Sequence, residues 1–180
     1  MAGREATGYE ASSADLFRDC PWVVVPASAG SDEEAVRRVE TVARACGALP
    51  VRMDAEEHDA AVAAISHLPL VLAAALVEAV TRAPEGVARA DWEIARSLAA
   101  SGWRDMTRLA RGDPEMAAGI LATNARAVGD RLRDLQRVLD SWLAEAEGLS
   151  RMDQPGAAEA GPVWARFKAA RDRLEGDGRP

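Results

Sequence analysis

The sequence predicts a mainly α protein with one strand–helix–strand unit near its start. Three observations carry this prediction. Residues 58–80 (HDAAVAAISHLPLVLAAALVEAV) are the most apolar stretch of the chain and consist almost wholly of good helix formers. From Pro114 to about Glu147 a helical stripe recurs, with Ala117, Leu121, Val128, Leu135, Leu139, Trp142 and Ala146 at spacings of 3, 4 or 7. Residues 21–53 hold two short apolar runs around one amphipathic segment, the pattern of a βαβ unit.

Composition narrows the function classes. A chain of 180 residues is one domain or slightly more, and 48% hydrophobic content supports a core. A net charge of −7 argues against nucleic acid or an anionic membrane as the main partner. Cys20 and Cys46 show neither a C-x-x-C pattern nor metal-ligand spacing. They read as two buried thiols in a reducing, cytoplasmic compartment, with no metal site. No signal peptide is expected before the opening Met1-Ala2-Gly3. A membrane span needs ~20 apolar residues, and Asp59, Ser66, His67, Pro69 and Glu78 interrupt the only run of that length.

Taken in order, residues 1–20 read as loop and a short helix. Residues 21–26 (PWVVVP) form a buried strand bounded by prolines. Ser31 is the expected N-cap of a capping box with Glu34 at N3. The helix that follows places Val36, Val39 and Ala43 on its apolar face and ends at Gly47 as C′ residue. Residues 49–53 form a second strand, and Asp54 to Glu57 open the next helix. In that helix Val62, Ile65, Leu68, Leu72 and Leu76 predict one buried stripe, and residues 70–77 are apolar without a break. Such a helix belongs between other helices. Pro69 has no N–H for the carbonyl of Ile65, so a kink is expected, with a freed carbonyl that needs a partner near Ser66 and His67.

Residues 83–86 (APEG) make a turn, and residues 90–100 a helix with Trp92 and Leu98. Ser101-Gly102 breaks it before a short helix at 103–111 that stops at Gly112. Asp113 and Pro114 are N-cap and N1 of a helix of ~34 residues, ~50 Å long. Asn124 stands on its apolar stripe. This length suggests helix-on-helix packing, partly between subunits. Residues 149–180 are rich in Gly, Pro and charge. A loose helix around Trp164 and Phe167 in a poorly ordered tail is expected.

Five short motifs stand in order along residues 1–148: M-A-G-x-E at Met1 to Glu5 with Gly8 beyond it, A-D-L-F at Ala14 to Phe17, H-D-x-x-x-A-x-x-S-H-L-P at His58 to Pro69, G-W-R-D-M-T-R at Gly102 to Arg108, and G-D-P-E-M at Gly112 to Met116. Together they resemble the prephenate dehydrogenases, NAD(P)-dependent enzymes of tyrosine biosynthesis. The resemblance implies three parts. Residues 1–53 would be the end of a Rossmann-type nucleotide-binding domain, a remnant βαβ unit. Residues 54–148 would be the helical dimerisation and substrate domain, and residues 149–180 a polar tail. It implies a homodimer that acts on prephenate or arogenate, with NAD or NADP in the complete enzyme and none bound by this chain alone. No G-x-G-x-x-G occurs in the sequence.

The resemblance also assigns site residues. Arg108 stands where the family holds the substrate carboxylate, and an arginine fork suits a dicarboxylate. Its bland alternative is a solvated arginine paired with Asp105 at i−3. Asp105 and Glu5 are the acids expected to hold Arg108 in the empty site. His67 is expected to line the substrate end of its helix, against the alternative of a core histidine bonded to backbone. His58, half a helical turn out of phase with it, reads as structural. Many family members carry S-H-L-P-H, and here the last position is Leu70. The family's catalytic histidine, in a His-Pro pair, would precede Met1, so no catalytic residue is assigned and a truncated chain, inactive alone, is expected. The alternative function is a non-catalytic helical interaction module.

Overall fold

A computed structural model describes residues 8–27, 32–81, 90–152, 156 and 160–176. Among them, β1 (Pro21–Val24) and β2 (Leu49–Arg52) form a two-stranded parallel sheet, with Pro21 opposite Leu49 and Val24 opposite Arg52. The crossover is α1 (Glu33–Ala45). Helices follow: α2 (Ala55–Val62), a π-turn at Ala63–His67, α3 (Leu68–Thr81), α4 (Ala90–Leu98), α5 (Ser101–Thr107), a 3-10 turn at Arg108–Arg111, α6 (Pro114–Thr123), α7 (Ala125–Ser150) and α8 (Gly161–Gly176). The fold is mainly α, preceded by a βαβ remnant as expected. The chain forms two compact units, Met1–Arg131 and Leu132–Pro180.

Helix ends follow local chemistry. Asp32 caps α1 by accepting from the Glu34 N–H at 2.9 Å. Ser31, the expected cap, lies outside the described residues, as does the turn expected at 83–86. After α1, Gly47 takes φ +77°, and its N–H donates to the Arg44 carbonyl while the Ala48 N–H donates to that of Ala43. This is a Schellman motif, and the left-handed position explains the glycine. Asp54 accepts from the Glu57 N–H at 2.7 Å and Glu57 reaches back to the Asp54 N–H, a full capping box for α2. Asp113 accepts from the Glu115 N–H with Pro114 at N1 of α6. Ser101 and Gly102 open α5 instead of breaking the previous helix.

Three expectations about burial need correction. On α1, Val36 and Ala43 are buried, but Val39 is 44% exposed and Glu40 takes the inward place. Glu40 faces Arg52 on β2, whose Nε donates to one carboxylate oxygen, while Arg44 donates to the other at 3.2 Å. Arg52 also meets Glu33 at 2.8 Å. These bonds, Arg52's first, hold the Glu40 carboxyl below its ordinary value of 4.5, against a smaller opposing effect of burial. On the apolar helix, Ile65 is 74% exposed, and Ala63 and Ala73 are the buried residues. The π-turn inserts an i→i+5 bond, from the Leu68 N–H to the Ala63 carbonyl, so a stripe counted at 3.6 residues per turn loses phase there. The cysteines are not both buried: Cys46 is exposed and Cys20 half-buried.

The apolar helix is not enclosed either. α3 packs on α5 and on the 3-10 turn, yet among the described residues only Ala63 and Ala73 of Ala55–Thr81 are buried, the others being half-buried or exposed. By length and composition alone this stretch could cross a membrane. In the second unit, the Trp142 and Phe167 rings lie 4.8 Å apart. Arg166 stacks 3.9 Å above Trp142 and donates to Glu145 at 2.7 Å.

Candidate functional site

The site is built where the π-turn meets the end of α6. The sequence predicts one helix from Pro114 to about Glu147; the structure divides it at Asn124, which closes α6 with φ −124° and ψ 32°. Val128, one turn into α7, is fully buried and anchors the junction. Asn124 is itself only 8% exposed. A buried amide must find partners. Its Nδ2 donates to the backbone carbonyl of Asp59 at 2.8 Å and lies 3.3 Å from Nδ1 of His67. Asp59 meanwhile places its carboxylate 3.1 Å from Nδ1 of His58. Both histidines are thus tied to one residue, His58 through the Asp59 side chain and His67 through Asn124 and the Asp59 carbonyl.

An open cleft of about 290 Å³ lies beside this junction, lined by Glu56, Asp59, Asn124, Arg126 and Asp130 among others. A second, apolar groove of about 270 Å³ runs between α3 and the 3-10 turn, bounded by Leu70, Val71, Ala74, Leu109, Ala110 and Leu121. Leu70, where the resemblance implied a histidine, therefore contributes to an apolar wall.

Arg108 opens the 3-10 turn and is exposed, as is Asp105. Two contacts set their geometry. Thr107, buried, donates its hydroxyl to the Trp103 carbonyl at 2.7 Å. Trp103 in turn packs on Trp92 of α4 at 5.7 Å between ring centroids. The 3-10 turn is held against α3, the continuation of the helix that bears His67. Glu5 lies outside the described residues. The structure thus puts His67 and the Arg108 segment on one helical scaffold. It adds Asn124, a residue legible beforehand only as a polar side chain on an apolar stripe. Among the described residues no group of three or more His, Cys, Asp or Glu could hold a metal ion.

Comparison with known proteins locates the fold. Residues 54–158, more than half of the chain, match the family model described as prephenate dehydrogenase, dimerization domain. The prephenate dehydrogenase of Bacillus subtilis is 30% identical over 98% of this chain and 43% of its own length. The structure is similar to that of Synechocystis arogenate dehydrogenase, with a TM-score of 0.76 and 28% identity, covering 96% of this chain and 59% of that one. It is also similar to the prephenate dehydrogenase from A. aeolicus in complex with hydroxyphenyl propionate and NAD+, with a TM-score of 0.74 and 25% identity over 97% of this chain and 56% of that one. The chain therefore spans less than half of the curated relative and little more than half of these solved chains. Its helical scaffold, its βαβ remnant and these matches agree, and the chain belongs to the prephenate dehydrogenase family.

Proposed function

We propose that this chain supplies the dimerisation surface and the substrate-carboxylate side of a prephenate dehydrogenase. The reaction is the oxidative decarboxylation of prephenate to 4-hydroxyphenylpyruvate, with arogenate as the alternative substrate. The observation that carries this reading is that the apolar helix Ala55–Thr81, largely half-buried or exposed, lies inside a segment that matches a dimerization domain. An apolar helix left half-buried is characteristic of an interface. A second copy of the chain is its natural cover, and an obligate helical dimer buries more than ~2,000 Å². Sedimentation at micromolar concentration tests this, and a monomer would refute it. A helix covered in this way needs no bilayer, which supports a cytoplasmic protein.

Within the site, Arg108 binds a substrate carboxylate through its two-pronged guanidinium, with Asp105 and Glu5 holding it when the site is empty. His67 contributes a hydrogen bond at the same end. We retain the functional division at 53/54, with residues 1–53 as the end of a nucleotide-binding domain and residues 149–180 as an appendage to the helical domain. The residues of this chain do not fit a dinucleotide. The sequence has no G-x-G-x-x-G, and the described sheet has two strands where a nucleotide-binding crevice needs a wider one. NAD or NADP thus belongs to the complete enzyme, and the chain alone is inactive.

The same observation favours a second reading, a non-catalytic dimerisation module. One experiment separates the two. The chain is joined to the nucleotide-binding half of a relative and assayed with prephenate and each nicotinamide cofactor. Turnover of ~1 s⁻¹ or more supports the enzyme. A folded, dimeric and inert fusion supports the module. Turnover of that size by the chain alone would overturn both.

A further inference from the structure

The contact between Asn124 and His67 has a direction, and the direction assigns a proton. The backbone carbonyl of Asp59 can only accept a hydrogen bond. The end of the Asn124 amide that meets it at 2.8 Å must therefore be the NH2 group. That nitrogen has a second N–H, and Nδ1 of His67 lies 3.3 Å from the same atom. Facing a donor, Nδ1 must present its lone pair. A neutral imidazole with a bare Nδ1 has its proton on Nε2.

His58 supplies the opposite case in the same molecule. Its Nδ1 faces the Asp59 carboxylate at 3.1 Å, an acceptor, so Nδ1 there holds the proton. These are the two histidines of the chain, and they differ in what stands opposite the same ring atom.

We propose that Asn124 is a positioning residue that fixes His67 as the Nε2–H tautomer, so that His67 meets the ligand as a hydrogen-bond donor and not as a general base. The role of His67 toward substrate rests on the function proposed above; the tautomer does not. A donor at Nε2 suits a carboxylate or carbonyl oxygen, both of which the expected substrate class carries. It also explains why a polar residue stands on the apolar stripe and why α6 stops there: the helix break turns a buried amide toward the π-turn.

The test is nitrogen-15 NMR of the full 180-residue chain at neutral pH, with the ring nitrogens labelled. His58→Gln removes the second histidine and leaves one ring to read. The expected result is a protonated Nε2 and a bare Nδ1 for His67. Asn124→Asp replaces the donor by an acceptor, and the Nδ1–H form should gain at least about tenfold over Nε2–H. A protonated Nδ1 in the unsubstituted ring overturns the proposal without any need for a folded variant. So does an unchanged tautomer in a folded Asn124→Asp chain. Addition of hydroxyphenyl propionate to the fusion with a nucleotide-binding half then separates the two claims. If the tautomer is as expected but the His67 signals do not move on binding, the tautomer stands and the substrate role of His67 falls.

Discussion

Two polar clusters lie inside this chain, and they solve the same problem in different ways. At the strand–helix–strand end, Glu40 is buried on α1 and answered by Arg52 and Arg44, with Glu33 completing the pair to Arg52. Charge is cancelled by charge, and the cluster ties a helix to the last residue of β2. At the helical end, Asn124 answers a backbone carbonyl and a ring nitrogen, and no formal charge is needed. The first arrangement absorbs the hydrogen-bonding capacity of Glu40 within the fold. The second leaves one nitrogen of His67 to act as a donor. The contrast supports the proposal that ligand chemistry belongs at the junction of α6, α7 and the π-turn and on the Arg108 segment, and not in the charged cluster.

The largest expected effect tests that assignment. In an enzyme restored with a nucleotide-binding half, Arg108→Ala should raise the Michaelis constant for prephenate by roughly 30-fold or more, since truncating one partner of a desolvated charge pair costs ~2–5 kcal/mol. Arg108→Lys should recover little, because an ammonium keeps the charge and loses the fork. A change below threefold would move the substrate carboxylate elsewhere and break the comparison.

Next in size is the neutral cluster itself. Asn124→Ala leaves the interhelical contact unmade and should lower unfolding free energy by about 1–3 kcal/mol, the usual cost of an unanswered buried polar group. Urea denaturation of the folded chain reads this directly. No change in midpoint would mean that water replaces the amide without loss.

The charged cluster should respond to pH through Glu40. Arg52 and Arg44 hold the Glu40 carboxyl below its ordinary 4.5. A carboxyl whose folded value is depressed stabilises the fold above its unfolded value, and that contribution disappears as pH falls through the folded value. Glu40→Gln should therefore melt below wild type at pH 7, and the gap should close under acid conditions below pH 4.5. Glu34→Gln, at an exposed pair, is the control and should differ little at either pH. A gap that persists unchanged in acid would show that Glu40 acts through shape alone.

The smallest expected effect sharpens the first. Arg104 lies one turn before Arg108 on an exposed face of α5. Arg104→Ala should alter prephenate binding by less than ~1 kcal/mol in the same assay. Equal effects at both positions would mean a diffuse positive surface in place of a carboxylate fork.

Much of the fold was legible from neighbouring residues. The helix start at Asp54 to Glu57, the Asp113-Pro114 start and the Gly47 stop were each read from sequence and are each present. Such signals act over three or four residues, so the chain states them locally. The βαβ remnant was legible for the same reason, since short apolar runs between punctuating residues define strands. Of the candidate site, His67 and Arg108 were legible only through their motifs. Their geometry was not.

The sequence by itself therefore determined which segments are helix or strand, where most of them start and stop, and the family to which the motifs point. Tertiary structure decided the places where the inward face departs from the sequence's periodicity. Glu40 is buried in place of Val39 because Arg52, 12 residues away, stands opposite it. Ile65 is exposed because the π-turn before Pro69 rotates the stripe out of phase. Asn124 meets Asp59 and His67 across 65 and 57 residues. Periodicity assumes a constant turn and ranks each side chain by its own polarity. A buried polar group is set by its partner, and a partner that distant in sequence has no local signal.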